Sequence, residues 1–218
     1  YDDVMGGLRP MIPFVAGGGI LMAISFMFGM KIGDDSVNQF AKVLYEIGHN
    51  NAMLLMIPIF AGFIAHTIAG QDALAPGMIG GMIAKTTGSG FLGGIVAGFL
   101  AGYLVKLLNK LLSNFPEDFQ SIKKLLIIPV ISTFVVGIVM LCVVSVPMAW
   151  LNQGLTGFID GLGTQNLILT GMVIGGMMAV DLGGPINKVA YTFAVAAISN
   201  GNYYPMAAAM VGGVVPPL

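Results

Sequence analysis

The sequence predicts an all-α integral membrane protein. We expect a polytopic bundle of transmembrane helices with broken or re-entrant segments and an interfacial amphipathic helix. Three observations lead to this prediction. Charged residues make up 9% of the chain, against about 25% in soluble globular proteins. Hydrophobic residues make up 56%, and the mean hydropathy is +0.90. Several uncharged stretches also reach the roughly 20 residues that a spanning helix needs.

Charge and cysteine content exclude several classes of function. The net charge is −1, so the chain offers no basic surface for nucleic acid. A single cysteine, Cys142, excludes an internal disulfide, a redox pair and a cysteine-based zinc site. Its apolar neighbours favour an inert packing role over a nucleophilic one. We therefore expect no catalytic residue, metal site or cofactor.

Uncharged stretches predict the order of the helices. Residues 36–48 alternate polar and apolar positions at helical spacing and suit the interfacial amphipathic helix. Residues 125–159 exceed the length of one span, so 147–157 are expected to turn or to lie at the interface. The other predicted spans and shorter apolar segments are 10–30, 51–69, 88–105, 166–180, 189–198 and 207–218.

The lysines predict the orientation of the chain. Four of them lie between Lys106 and Lys124, which predicts a basic cytoplasmic loop at 106–124. If the N-terminus is also cytoplasmic, an even number of crossings must precede Lys106. We therefore expect the glycine-rich residues 73–84 to make a short, broken crossing that is buried among other helices.

Glycine recurs every four residues at Gly90, Gly94, Gly98 and Gly102. This spacing makes a flat helix face that the backbone of another helix can approach closely. We expect internal packing at this face, and a helix crossing or a dimer contact is the alternative.

The densest polar segment of the chain lies between two apolar stretches, at residues 181–191. Asp181 and Asn187 can hydrogen-bond to sugar hydroxyls, and Lys188 can pair with Asp181 or bind a phosphate. The Gly-Gly-Pro sequence between them can open a helix. The alternative is an ordinary aqueous loop whose charges face water. The candidate substrate-binding residues are Asp181, Gly183, Gly184, Pro185, Asn187 and Lys188.

His66 is a second candidate, since an ionisable residue inside a span can mark a transport pathway. The ordinary alternative is a hydrogen-bonded interior histidine. An ion- or proton-coupled secondary transporter that uses His66 and Asp181 is one functional hypothesis. Another is a membrane scaffold or sensor subunit, without transport, built around the face from Gly90 to Gly102.

Four segments, in order and spacing, resemble one membrane-protein family. This family is the membrane (C) component, EIIC, of fructose-type sugar phosphotransferase permeases, and the similarity extends over essentially the whole chain. The segments are MIPFVAGGGI at 11–20, LAPGMIGG at 74–81, GGIVAGFLAGYLV at 93–105 and DLGGPINKVAYTF at 181–193.

The resemblance implies a permease that carries a fructose-like sugar inward and presents it to a phosphocysteine. That cysteine belongs to a partner B domain (EIIB), which is fused or separate, as is the A domain (EIIA). The resemblance also implies a homodimer, surrounded by lipid, in the bacterial cytoplasmic membrane. Residues 1–105 would form scaffold-like helices, and 125–218 would begin the substrate-site region.

The chain departs from the family at one functional motif. Relatives continue past the equivalent of Leu218 with a glutamate-bearing motif that is expected to hold sugar hydroxyls. Glu46 and Glu117 are the only glutamates in this sequence, and both lie in unrelated contexts. We therefore expect this chain to be part of a longer permease.

Overall fold

The computed structural model describes residues 2–28, 38–113, 120–161, 167–180, 190–191, 193–195, 197–198 and 201–214. These residues form helices and their connections, with no strand among them. By length and composition, the helical segments Asp2–Met27, Gln39–Ala69, Gly90–Leu111 and Gln120–Leu151 are each able to cross a membrane. The predicted class, an all-α membrane bundle with several spans, is confirmed.

The helices are named here in chain order, and three of them continue directly into π-helical turns. The π-helical turns are Glu46–Ala52, Lys123–Ile127 and Met140–Val144, and a 3₁₀ turn spans Gln71–Ala73. The α-helices are α1 (Asp2–Met27), α2 (Gln39–Tyr45), α3 (Met56–Ala69), α4 (Leu74–Thr86), α5 (Gly90–Leu111), α6 (Gln120–Ile122), α7 (Ile128–Val139), α8 (Ser145–Gly161), α9 (Leu167–Val180) and α10 (Tyr204–Val214).

The main core forms where α3, α4 and α5 pack against one another. Small residues line these contacts, so the helix backbones lie close together. A Cβ added at Gly98 would lie 2.7 Å from the Cβ of Ile64 and 2.8 Å from the carbonyl oxygen of Ala61. The rings of Phe60 and Phe91 stack in the same interface, with their centroids 4.4 Å apart.

The glycine face of α5 packs inside the molecule, against α3. Gly94, near the start of α5, faces Ile57 near the start of α3, and Gly102 faces Ile68 near its end. The expectation of internal packing is therefore confirmed for these positions. Because the contacts follow the same order along both helices, α3 and α5 are parallel.

The short helix α4 runs in the opposite direction between α3 and α5. Gly77, near its start, faces Ala65, whereas Gly81, near its end, faces Pro58. Gly88, with φ of +75°, allows the reversal of the chain before α5 begins. Helices α3, α5 and α7 surround α4, which is the buried, glycine-rich element expected at 73–84. Unlike the expected broken segment, it is continuous from Leu74 to Thr86.

The first helix is antiparallel to α3. Gly7 faces Phe60 and Ile64, and Gly18 faces Ala52 in the π-helical turn before α3. The start of α1 therefore lies at the same end of the bundle as the end of α3 and the end of α5. Two prolines inside α1, Pro10 and Pro13, do not interrupt the helix, so it begins earlier than the expected span at 10–30.

A buried lysine joins the end of α5 to the start of the next long helix. Lys123 is 6% exposed, and its Nζ donates a hydrogen bond of 2.6 Å to the carbonyl oxygen of Leu112, the C-cap of α5. A lysine suits this place because the last carbonyls of a helix have no partner within it. Helix α5 extends to Leu111, so Lys106 and Lys110 lie on a helix within the expected loop at 106–124.

Helix α7 returns antiparallel to α5. At its start Lys123 contacts Leu112, and past its end the buried Ser89 hydroxyl, next to the start of α5, donates to the Ser145 carbonyl at 3.1 Å. Of the two alternatives for 147–157, the turn is wrong, because α8 is helical from Ser145 to Gly161; the interfacial position stays a prediction. The π-helical turn before α8 widens the helix near the Pro147 ring, which lets the chain remain helical there.

The amphipathic segment at 36–48 also differs from its expected boundary. Its helix continues as a π-helical turn to Ala52 and leads through residues 53–55 into α3. The Asn51 side-chain amide donates to the Glu46 carbonyl oxygen at 2.8 Å. This bond satisfies a carbonyl in the widened turn, so the helix need not end at Gly48.

A second, smaller cluster joins α9 to α10. Ile174 and Met178 of α9 pack against Ala190, Ala194 and the α10 residue Ala209. The two helices cross closely at glycine, because a Cβ at Gly212 would meet the Gly175 backbone. The cluster holds together the last helices that the structure describes.

These directions divide the basic residues of the helices unequally between the two ends of the bundle. The end that contains Leu111 is called the basic end, and the end that contains Thr86 is called the opposite end. Cytoplasmic segments are enriched in lysine and arginine, so we expect the basic end to face the cytoplasm. The basic end carries Arg9, Lys106, Lys110, Lys123 and Lys124, and the opposite end carries Lys42 and Lys85.

We predict that Gly98→Ala destabilises the protein by about 1–3 kcal/mol, because its methyl group would collide with side chain and backbone of α3. Gly137→Ala is the matched control, since a Cβ there meets nothing nearer than Ile83 Cδ1 at 4.0 Å. The control should be neutral or slightly stabilising. Thermal unfolding of the full-length protein in detergent measures both, and equal stability of the two variants would contradict this packing.

We further predict that α4 crosses the membrane. Gln71→Cys and Thr86→Cys place exposed cysteines just before and at the end of this helix, and Cys142→Ala removes the native thiol. An impermeant maleimide should label position 86 from outside the cell and position 71 only after the cytoplasmic side is opened. Labelling of both positions from one side would show that α4 does not cross.

Candidate functional site

The segment predicted as the substrate site lies outside the described residues. Asp181, Gly183, Gly184, Pro185, Asn187 and Lys188 all belong to it. The described residues on either side share one cluster, in which Met178 packs with Ala190 and Ala194. The described helical residues that precede and follow the segment therefore meet. Substrate binding by the segment itself stays a prediction.

His66 lies near the end of α3, toward the basic end of the bundle. Its side chain is half-buried, and its ring is tilted against Phe63 with the centroids 5.9 Å apart. The His66 carbonyl accepts a hydrogen bond of 2.7 Å from the Gly70 N–H, which ends the helix. Its role in a pathway stays a prediction.

A polar cavity of about 310 Å³ lies at the opposite end of the bundle. Three elements surround it: the π-helical turn before α3, the last turn of α4, and the residues just before α10. Apolar walls come from Met53, Leu54, Met56 and Ile198, and Gly201 completes the lining. Its polar side chains are His49, Asn50, Lys85 and Tyr203.

His49 is the most constrained polar group of this cavity. Its ring stacks on Tyr45 with a centroid distance of 4.9 Å and an interplanar angle of 22°. Its Nδ1 atom is buried and has no hydrogen-bond partner among the described residues. A buried polar atom without a partner is costly, and a ligand would reach this one only if the His49 ring turned.

The hydroxyl of Tyr203 is a hydrogen-bond donor at this site. Burial raises the pKa of Tyr203, and the negative charge that Tyr45 would carry on ionisation raises it further. The phenol therefore stays protonated at neutral pH. A protonated phenol both donates and accepts hydrogen bonds, which suits a ligand with hydroxyl groups.

Lys85 and Glu46 set the charge balance around the cavity. The Lys85 side chain is half-buried, at the last turn of α4, and makes no ion pair within the described part of the chain. The amide nitrogen of Asn50, which lines the cavity, donates to the Glu46 carboxylate at 2.5 Å. The described lining thus carries one ammonium, and a carboxylate is bonded to one of its residues.

The sequence identified only part of this cavity. His49 lies just before the expected span at 51–69, and neither it nor Lys85 nor Tyr203 was assigned a role from the sequence. Lys85 is the only charged residue between Asp72 and Lys106. A lone charge that follows a glycine-rich apolar helix was the signal that could have drawn attention to it.

Metal-binding side chains do not cluster in the described ranges, where no three His, Cys, Asp or Glu residues meet. Cys142 is a free, exposed thiol on the π-helical turn after α7. The expected packing role is not observed in this chain, because the thiol is exposed and so are Leu141 and Val143 beside it. Such an apolar surface on a spanning segment suits contact with lipid.

The fold and the cavity define a class, a polytopic helical membrane protein with a polar pocket at one end of its bundle. A family model described as "Phosphotransferase system, EIIC" matches residues 5–218. The chain belongs to this family. No solved structure matches it.

Curated relatives agree with this assignment. The chain is 49% identical to the "PTS system fructose-specific EIIABC component" of Bacillus subtilis, over all of this chain and 35% of that protein. It is 46% identical to the "PTS system fructose-specific EIIB'BC component" of Escherichia coli, over all of this chain and 38% of that protein. A "Fructose permease IIC component" of Bacillus amyloliquefaciens is 49% identical, over 85% of this chain and 61% of that protein. The chain thus spans less than two thirds of the length of these relatives.

Proposed function

We propose that this chain is part of a permease that carries a fructose-like sugar into the cell while a partner EIIB domain phosphorylates it. The observation that carries the proposal is the 46–49% identity, over the whole chain, to components named as fructose-specific. Those relatives are named as fusions of B and C, or of A, B and C, components. EIIB and EIIA, fused or separate, are therefore the partners that we propose.

The position of Cys142 indicates which component carries the phosphocysteine and which binds the sugar. Cys142 is on the apolar surface of a spanning segment, where a phosphoryl group would meet lipid and no aqueous donor. The nucleophile is therefore assigned to EIIB, and this chain binds and positions the sugar. Positioning alone contributes strongly to such a transfer, because it replaces an encounter in solution.

Sugar binding is assigned to residues 181–188 by their chemistry and by the helices around them. Asp181 and Asn187 supply acceptors and a donor for hydroxyls, and Lys188 supplies a donor that also suits a phosphate. The clustered ends of α9 and the helical residues from Ala190 onward support a short polar segment held between packed helices. Such interrupted helices form the binding sites of many transporters.

A homodimer in the bacterial cytoplasmic membrane completes the proposal. The outer face of α5 carries a shallow apolar groove in which the rings of Phe99 and Tyr103 stack, 6.2 Å apart. A helix of a second copy would fill such a groove with van der Waals contacts, which drive association in lipid. The residues of the groove are Ile95, Val96, Phe99, Leu100, Tyr103, Leu104 and Leu107.

We predict that Asp181→Asn or Asn187→Ala, in the full-length permease, lowers fructose uptake at least tenfold. Each change removes a polar partner of the sugar, and hydrogen bonds that involve a charged group contribute about 1.5–3 kcal/mol. Uptake of radiolabelled fructose by cells that express each variant is the measurement.

Asp72→Asn is the matched control, because this acid lies in the 3₁₀ turn before α4 and outside the proposed site. It should transport normally, and all three variants should reach the membrane in equal amounts. Wild-type uptake by both site variants would refute the assignment of residues 181–188.

A further inference from the structure

The cavity at the opposite end of the bundle has the dimensions of a small-ligand site. Its volume, about 310 Å³, lies at the lower limit for ligand pockets, which span roughly 300–1,000 Å³. One monosaccharide fits such a volume, whereas a nucleotide or a disaccharide would fill or exceed it. The described residues that line the cavity lie outside the segment assigned to the sugar at 181–188.

The lining combines ring faces with hydrogen-bonding groups. His49 and Tyr203 contribute rings, and Met53 and Ile198 contribute apolar walls. Lys85 and the Tyr203 hydroxyl contribute hydrogen-bonding groups to the lining. A sugar ring offers apolar C–H faces together with hydroxyls that both donate and accept, and it complements each of these groups.

The charges favour a neutral ligand over an anion. Among the described residues of the lining, Lys85 is the single basic side chain besides the histidine. The carboxylate of Glu46 accepts a hydrogen bond of 2.5 Å from the amide of Asn50, which lines the cavity. A carboxylate one hydrogen bond away from the lining lowers the attraction of Lys85 for an anion, whereas the hydroxyls of a neutral ligand can bind to Lys85 and Asn50.

The position of the cavity indicates the side of the membrane from which it is reached. Met56, at the start of α3, and Lys85, at the end of α4, both line it. Both lie at the end opposite to Lys106, Lys110 and Lys124. If the basic end faces the cytoplasm, the cavity faces outward.

We propose that this cavity is an entry site that binds a monosaccharide from the outside before transfer to residues 181–188. The proposal rests on the proposed transport function, which supplies the sugar. Residues before α10 form one wall, and the turn before α3 forms another. An occupied cavity therefore connects the core of α3, α4 and α5 to the smaller cluster of α9 and α10.

The test measures fructose binding to the purified full-length permease by isothermal titration calorimetry. The Asp181→Asn background weakens the site proposed at 181–188, so saturable binding that depends on Lys85 and Tyr203 reports the entry site. Adding Lys85→Gln should weaken this binding about tenfold, and adding Tyr203→Phe should weaken it about threefold. The latter change keeps the ring and removes only the hydroxyl.

Lys106→Gln is the matched control for Lys85→Gln, because Lys106 is exposed at the basic end of α5. Fructose affinity should be unchanged by it. Absence of fructose binding in the Asp181→Asn background would overturn the entry site. A fructose affinity that is unchanged by Lys85→Gln and by Tyr203→Phe would overturn it too. Binding of inorganic phosphate that depends on Lys85, without binding of fructose, would show an anion site and would also overturn it.

The same binding measurement separates this inference from the proposed function. Fructose binding that depends on Lys85, in a permease that never phosphorylates fructose, would refute the transport proposal and retain the entry site. Normal coupled transport with no fructose binding outside 181–188 would retain the transport proposal and refute the entry site.

Discussion

The close approach of α3, α4 and α5 is the contact on which the rest of the structure depends. Lipid tails are as apolar as leucine, so membrane helices associate through packing more than through a hydrophobic driving force. Here glycine and alanine remove the side chains that would separate the backbones, and Gly98 directly faces the Ala61 carbonyl. The order of the glycine contacts along these helices also shows that α3 and α5 are parallel and that α4 is antiparallel to both.

Those directions place polar groups at the two ends of an apolar bundle. Lys123 caps α5 at one end, and Ser89 bonds to the Ser145 carbonyl at the other. Lys85 is carried to the wall of the polar cavity because α4 returns between its parallel neighbours. A small glycine-rich helix thus links the packing of the core to the polar cavity.

Composition and spacing predicted the class of fold because few charges and long apolar stretches have no other stable arrangement. The spacing of Gly94, Gly98 and Gly102 likewise predicted internal packing, since only close helices require it. Boundaries were harder to predict. The π-helical turns before α3 and α8 depend on carbonyl partners such as Asn51 and on neighbouring helices. The cavity joins residues 49, 85 and 203, which no local pattern connects.

We propose that this chain belongs to a permease whose transport is coupled to phosphorylation of the sugar. The most direct measurement is the chemical form of labelled fructose inside right-side-out membrane vesicles that contain the full-length permease, its A and B domains and a phosphoryl donor. We expect the accumulated sugar to be fructose phosphate and accumulation to stop without the donor. Free fructose, accumulated without the donor and in response to an ion gradient, would contradict coupled transport.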